Sequence, residues 1–336
     1  MNGALVQKPV ADSLEQLLAG AQGRQPLEST DSKSGARFER VTIGGEPFVV
    51  KHLHVDDDWI MRSSGDLCCR PLRVWQSGLL DRLPPVIDHA VVGAATGEGR
   101  NGWGAALLMR DVTPWLVPAG DEPVPLEQHL RFVDHMAALH ATYWGWVDTI
   151  GLLPPFHRLM EFRPDHMALE ASRGWPDEVP KLIIEGWQRF AGVAGSLAAP
   201  IADLVHDPTP LVDALRVGPQ TFLHGDWKMG NLGSHLDGRT ILLDWAMPGQ
   251  GCGPLDLSWY LSLNAARLPQ SKEDTIAAYR GSLEGHGIDT AGWWDVIVDL
   301  SLLAGVLWFG WEKALGGPGR ELGWWLERAA DGLRWL

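Results

Sequence analysis

Near residue 110 the spacing of apolar residues changes from that of strands to that of helices, which limits the chain to folds that keep a sheet and a helical body apart. Upstream, "RFERVTIGGEPFVVKHL" reads as two strands joined at Gly44-Gly45. A short helical pattern, "ADSLEQLLAGA", precedes this hairpin. A helix-like stretch from Asp66 to Leu83 and two apolar runs, "PPVIDHAVVGAA" and "WGAALLMRDV", follow it. The Pro-rich "VTPWLVPAGDEPVP" then suits a connection. Beyond it, "PLEQHLRFVDHMAALHATYWG" places Leu130, Val133, Met136, Ala137 and His140 at three- and four-residue spacing, the mark of an amphipathic helix. Further helices are expected at 177–196, 209–216 and after 255, with "GGPGRELG" as a turn between helices. The expected class is α+β: a small N-terminal lobe with an antiparallel β-sheet over 1–110 and a larger, mainly helical lobe over 111–336.

A chain of 336 residues is long enough for two such bodies. No apolar run approaches the length that spans a bilayer, so no membrane is expected as a partner. The opening residues lack a basic start followed by an apolar block, which favours the cytoplasm over secretion. Acidic side chains outnumber basic ones 42 to 28, and the net charge of -14 repels phosphate backbones, so nucleic acid is not expected either. The same charge favours a cationic small molecule, although an acidic surface also serves solubility alone. Cys68 and Cys69 are adjacent and Cys252 stands apart, a pattern suited to reduced thiols. Eighteen Trp against three Tyr is unusual, and indoles serve core packing as readily as ligand stacking.

The densest polar stretch is "TFLHGDWKMGNL", residues 221–232, with His224, Asp226, Lys228 and Asn231 between apolar flanks. Thirteen residues after Asn231 the run "TILLDW" brings Asp244. Asp and Asn favour turns for local reasons, but this joint spacing after apolar runs exceeds what turn chemistry requires. "HGDWKMGN" followed by "LLDWA" resembles the aminoglycoside phosphotransferase and choline kinase family, whose pattern is H-G-D-x-x-x-x-N and then an I-D-W-like segment. The order of small β lobe, connection and helical lobe follows the family as well. The resemblance implies a bilobal, protein-kinase-like fold and transfer of the γ-phosphate of ATP, or GTP, with Mg2+, to a hydroxyl of a small-molecule acceptor.

Phosphoryl transfer leaves little covalent work to protein groups. A carboxylate orients the attacking hydroxyl and accepts its proton while cations neutralise the phosphate oxygens. By resemblance Asp226 is the base, Asn231 and Asp244 are oxygen ligands for Mg2+, and Lys228 stabilises charge on the transferred group. Lys51, ending "PFVVK", resembles the strand lysine that grips the α- and β-phosphates. In "DSKSGARFERV", Gly35 would let the backbone approach phosphates and Ser32 or Ser34 would offer donors. His224 is expected to brace the loop rather than move protons, and Gly225 to let it turn. Asp256, in "GPLDLSWYL", matches the family aspartate that buttresses this loop, and it also suits a helix cap.

The sequence departs from the family at one point. The strand lysine normally pairs with a glutamate on the next helix, yet "SSGDLCCRPLRVWQSGLLDRLP" has none, leaving Asp66 or Asp81 as substitutes and Pro71 to break or start the helix. That gap supports an alternative reading, a kinase-like nucleotide-binding regulatory protein with little turnover. Only twelve residues separate Asp244 from Asp256, too short a segment to dock a peptide, which disfavours a protein substrate. No G-x-S-x-G, H-E-x-x-H or Cys/His zinc pattern supports a hydrolase. Acceptor contacts are expected from loops 157–176 and 246–260, with Glu161, Asp165, Glu170, Trp175 and Trp259 as candidates, and an amino sugar, aminoglycoside or amino alcohol as the acceptor.

Overall fold

A computed structural model describes residues 7–27, 35–99, 101–174 and 178–336. By backbone proximity the chain forms two compact units: Met1–Gly120 with Lys228–Met247, and Asp121–Trp227 with Pro248–Leu336. The boundary therefore passes inside the polar motif, between Trp227 and Lys228.

The first unit carries a five-stranded antiparallel sheet in the order Gln22–Leu27, Arg37–Ile43, Glu46–Leu53, Gly104–Arg110, Val91–Glu98. The hairpin forms at Gly44-Gly45 because both residues adopt positive φ, 61° and 90°, which the tight turn demands and glycine accepts. The strand Gln22–Leu27 went unforeseen, since its residues are almost all exposed and leave no apolar alternation to read. One face of the sheet packs Val41, Val50, Ala106 and Leu108 against Leu18, beside the single helical turn Leu14–Leu17. Pro71 starts a helix rather than breaking one: Arg70–Gln76 holds it in the first turn, where its missing N–H costs nothing. A second, three-stranded sheet joins Ile87–Asp88, Thr240–Leu242 and Leu232–Ser234.

The second unit is mainly helical. The helix foreseen after residue 125 spans Leu126–Thr142, and its buried stripe is His129, Phe132, Val133, Met136, Ala137 and His140. Leu130 lies beside that stripe, more than a third exposed, contrary to its expected place on the face. The helices expected at 177–196 and 209–216 run over Val179–Val193 and Thr209–Arg216. After 255 come Pro254–Leu263, Lys272–Gly285, Trp294–Leu315 and Arg320–Leu333. Trp294–Leu315 packs against Val179–Val193, Pro254–Leu263 and Arg320–Leu333. Among the described residues it is the one helix long and apolar enough to cross a bilayer, which corrects the expectation that no run reaches that length. Of its most apolar window, 83% is buried, the condition of a core helix. Indoles fill both units: Trp59, Trp227 and Trp325 are among the largest fully buried side chains.

Candidate active site

In the first unit Lys51 lies on the central strand of the sheet, between Phe38 and Leu107 on its neighbours, and is only 6% exposed. Its ammonium donates to Asp244 Oδ1 at 2.6 Å, a contact closing 193 residues of sequence. The spacing of Asn231 and Asp244 has a simple cause. Leu232–Ser234 and Thr240–Leu242 pair antiparallel, with Leu232 opposite Leu242, and Leu243 N–H donates to the Asn231 carbonyl at 2.9 Å. The two residues thus flank the same end of one ribbon. Asp244 has φ 60°, a left-handed conformation that few residues other than Gly, Asn and Asp hold at low cost. Lys228 precedes the turn Met229–Asn231, is half-buried, and its carbonyl accepts from Asn231 N–H at 2.9 Å. Gly35 has φ 89°, and a Cβ there would lie 2.4 Å from the Asp57 carbonyl oxygen, so glycine is required by the approach to residue 57 before any ligand is considered. Ser32 and Ser34 lie outside the described residues.

Neither proposed substitute for the helix glutamate pairs with Lys51. Asp81 binds Lys8 at 2.8 Å. Asp66, 2% exposed, accepts from the Arg70 backbone N–H at 2.9 Å and so closes the start of the helix Arg70–Gln76. That helix offers Arg70 instead of an acid: its guanidinium donates to Ser64 O at 2.9 Å and to Ala246 O at 3.1 Å. It thereby holds the backbone two residues beyond Asp244.

In the second unit the loop 224–226 is held from beneath. Asp256, 1% exposed, accepts from His224 N–H on Oδ2 at 2.8 Å and from Gly225 N–H on Oδ1 at 2.9 Å. It lies in the first turn of Pro254–Leu263 but makes no capping bond there, so its carboxylate serves the loop and not its own helix. Burial alone would push its carboxyl up, but the hydrogen bond from His140 and the Gly225 N–H hold it below the usual carboxylate range. Tyr279, whose phenol burial raises well above its ordinary value, keeps its proton and bonds His140 Nδ1 at 2.6 Å, which leaves the other ring nitrogen to donate to Asp256 Oδ2 at 3.2 Å. Gly225 has φ 79°, and His224 Nδ1 accepts from Asp226 N–H at 3.2 Å, a loop brace.

Asp226 is 7% exposed, and its Oδ1 accepts from Trp259 Nε1 at 2.8 Å. Trp259 is therefore a core residue rather than an acceptor contact. The Arg158 guanidinium lies 3.7 Å from the Trp259 ring centroid and donates to the Gly225 carbonyl and to Glu161. Sequence reasoning missed the roles of His140, Arg158 and Trp259. The available signal was Trp259 following Asp256 by three residues, on the same helix face. The acids named for an acceptor site are already matched with cations, Glu161 by Arg158, Asp165 by Arg163 and Glu170 by Arg173, and Trp175 lies outside the described residues. The three cysteines are free thiols, and burial pushes Cys69 and Cys252 up to about 12, where they stay protonated.

No protein-family model matches the chain, and no curated protein matches it. Solved structures do. A microcompartment-associated aminopropanol kinase is similar at 14% identity with a TM-score of 0.54, over 93% of this chain and 95% of that one. Choline kinase LicA from Streptococcus pneumoniae is similar at 13% identity with a TM-score of 0.53, over 95% of this chain and 96% of that one. At such identities the likeness speaks of architecture: the chain has the bilobal α+β, protein-kinase-like fold of these two kinases.

Proposed function

We propose that the protein is a small-molecule kinase that moves the γ-phosphoryl group of ATP to an acceptor hydroxyl, with Asp226 as base, Lys51 on the nucleotide phosphates and Lys228 on the transferred group. The observation that carries this reading is the 2.6 Å pairing of Lys51 with Asp244, beside Asn231 on the same ribbon end, in a chain with a kinase-like fold. Asn231 and Asp244 supply an amide oxygen and a carboxylate, the hard donors that Mg2+ takes, and a few such ligands suffice where phosphates supply the rest. Bound there, Mg2+ would neutralise charge on the phosphate oxygens.

The residues divide the work. Lys51 exchanges its carboxylate partner for nucleotide phosphate oxygens. Asp226 accepts the hydroxyl proton as the acceptor oxygen bonds to phosphorus and the bond to the leaving diphosphate breaks. The acceptor we favour carries an amine, as an amino sugar, aminoglycoside or amino alcohol does. The net charge of -14 supports that class, and the two similar structures are named for aminopropanol and choline. The arginine-matched acids Glu161, Asp165 and Glu170 do not add to it.

The test is a thermal shift with Mg·ATP followed by transfer of labelled γ-phosphate to a panel of amino alcohols, aminoglycosides and neutral polyols. Labelled product is expected, with the amines preferred. Equal use of neutral polyols would remove the amine from the proposal. Nucleotide binding without transfer to any acceptor would favour the regulatory reading, to which the helix lacking a glutamate partner for Lys51 already lends support.

A further inference from the structure

We infer that Trp259 is a positioning residue for the phosphoryl transfer proposed above, on which this inference rests, and that it acts by fixing the Asp226 carboxylate through its indole N–H. The contact is a 2.8 Å hydrogen bond to Oδ1 inside the protein, with Trp259 4% and Asp226 7% exposed. A carboxylate that must take a proton benefits from a partner that solvates it without competing. An ammonium or guanidinium would neutralise it, and a hydroxyl could trade protons with it. An indole N–H donates only, carries no charge and does not titrate.

The indole itself cannot turn away. The Arg158 guanidinium covers one face at 3.7 Å, Phe309 meets the ring at 4.6 Å and Trp308 at 5.3 Å between centroids. Trp308 Nε1 also donates to the Arg158 carbonyl at 2.9 Å, which anchors the residue that stacks on Trp259. Arg158 in turn donates to the carbonyl of Gly225, the residue before Asp226, and its charge is matched by Glu161. One stack thus fixes both the backbone entering residue 226 and the side chain leaving it.

The helix Pro254–Leu263 explains why these bonds occur together. Asp256 and Trp259 are three residues apart and share a face. The first takes the N–H groups of His224 and Gly225, and the second gives its N–H to Asp226. A single turn of helix therefore addresses three successive residues of the loop, two through backbone and one through side chain.

Trp259→Phe removes the N–H and keeps an aromatic face for Arg158. Losing a hydrogen bond to a charged group is expected to lower kcat roughly 10- to 100-fold. KM for ATP and for the acceptor should stay within about threefold, the split expected when an interaction acts on the chemical step. In an Asp226→Asn background the same change should cost less than about twofold more, because the carboxylate through which Trp259 acts is already gone. A wild-type protein that transfers no phosphate overturns the functional reading. A wild type that does, with Trp259→Phe equally active or with its effect undiminished in Asp226→Asn, overturns this inference alone. Should Trp259→Phe fail to fold, the indole proton resonance of Trp259 is compared by 15N-resolved NMR between wild type and Asp226→Ala, which removes the acceptor oxygen. A clear displacement supports the bond, and an unmoved resonance refutes it.

Discussion

Asp244 in the first unit and Asp256 in the second are both held by one or more donors, yet in opposite manners. Asp244 has its side chain one-third exposed, occupies a left-handed backbone site and is met by the ammonium of Lys51, a flexible donor able to exchange partners. Asp256 is 1% exposed, and both of its oxygens are committed to backbone N–H groups that cannot turn away, with His140 behind them. Asp226 stands between these extremes, buried but bonded on Oδ1 by an indole that donates and nothing else. On the proposed reading the first unit holds its carboxylate for a ligand, while the second immobilises a loop. Replacing each aspartate by asparagine removes the same charge from each setting, and the contrast predicts three different outcomes.

The largest effect is expected at Asp226. The asparagine oxygen can still accept from Trp259, so folding should survive while the proton acceptor is lost, and turnover should fall on the order of 10² to 10⁴. Steady-state kinetics with a melting curve as control would show it; an unchanged rate would remove Asp226 from the base role.

Asp256→Asn should unfold rather than inactivate. An amide has one oxygen, so its NH2 must face a backbone N–H at His224 or Gly225, leaving donor against donor in a dry site. We expect a loss of about 3 kcal/mol in urea unfolding at pH 7. The pH dependence has a defined sign. The folded carboxyl lies below its unfolded value of about 3.9, so its stabilisation is complete above that pH and disappears as pH falls through the folded value. The variant should lack this acid limb.

The readable and unreadable parts of the site divide along the same line. Lys51, Asp226, Asn231 and Asp244 stand out in the sequence because the chemistry proposed for them restricts residue type, and the hairpin between 231 and 244 fixes the spacing of the last two. The groups that brace them do not. His140 reads as one more member of an apolar helix stripe, Trp259 reads as an acceptor contact, and Arg158 sits in a helix of only five residues. Their roles depend on which helix crosses beneath the loop, and periodicity carries no such information. The exposed strand Gln22–Leu27 escaped for the opposite reason, having no buried side to reveal it. That residues 228–247 belong with the N-terminal unit is likewise invisible to any division made in chain order.

A comparable effect belongs to a histidine of the helical framework, outside the loop. His129 is fully buried, bonded to Tyr260 Oη at 2.9 Å and Thr275 Oγ1 at 3.2 Å, and burial lowers its pKa to about 4. The unfolded chain, with a value near 6.5, takes up the proton first, so the stabilisation is full above that pH and is lost as pH falls toward about 4. The expected loss is roughly 3 kcal/mol between neutral pH and about 4. His129→Gln keeps hydrogen-bonding atoms but cannot titrate, and its unfolding free energy should fall less over that range. Parallel urea titrations would decide whether the framework, and not only the loop, responds to acid.

The smallest effect on stability is expected where the contrast is sharpest. Asparagine tolerates the left-handed φ of 60° at position 244, and its oxygen can still receive the Lys51 ammonium, so Asp244→Asn should change the unfolding free energy by less than about 1 kcal/mol. Nucleotide recognition should suffer instead. A ligand at about 100 times its Kd adds roughly 2.7 kcal/mol to stability, and the variant should lose most of the melting shift that Mg·ATP gives the wild type, because an amide holds a divalent cation more weakly than a carboxylate. A fold that weakened by as much as Asp256→Asn, or a Mg·ATP shift left intact, would show that Asp244 is one more structural brace and that the two units do not differ as argued.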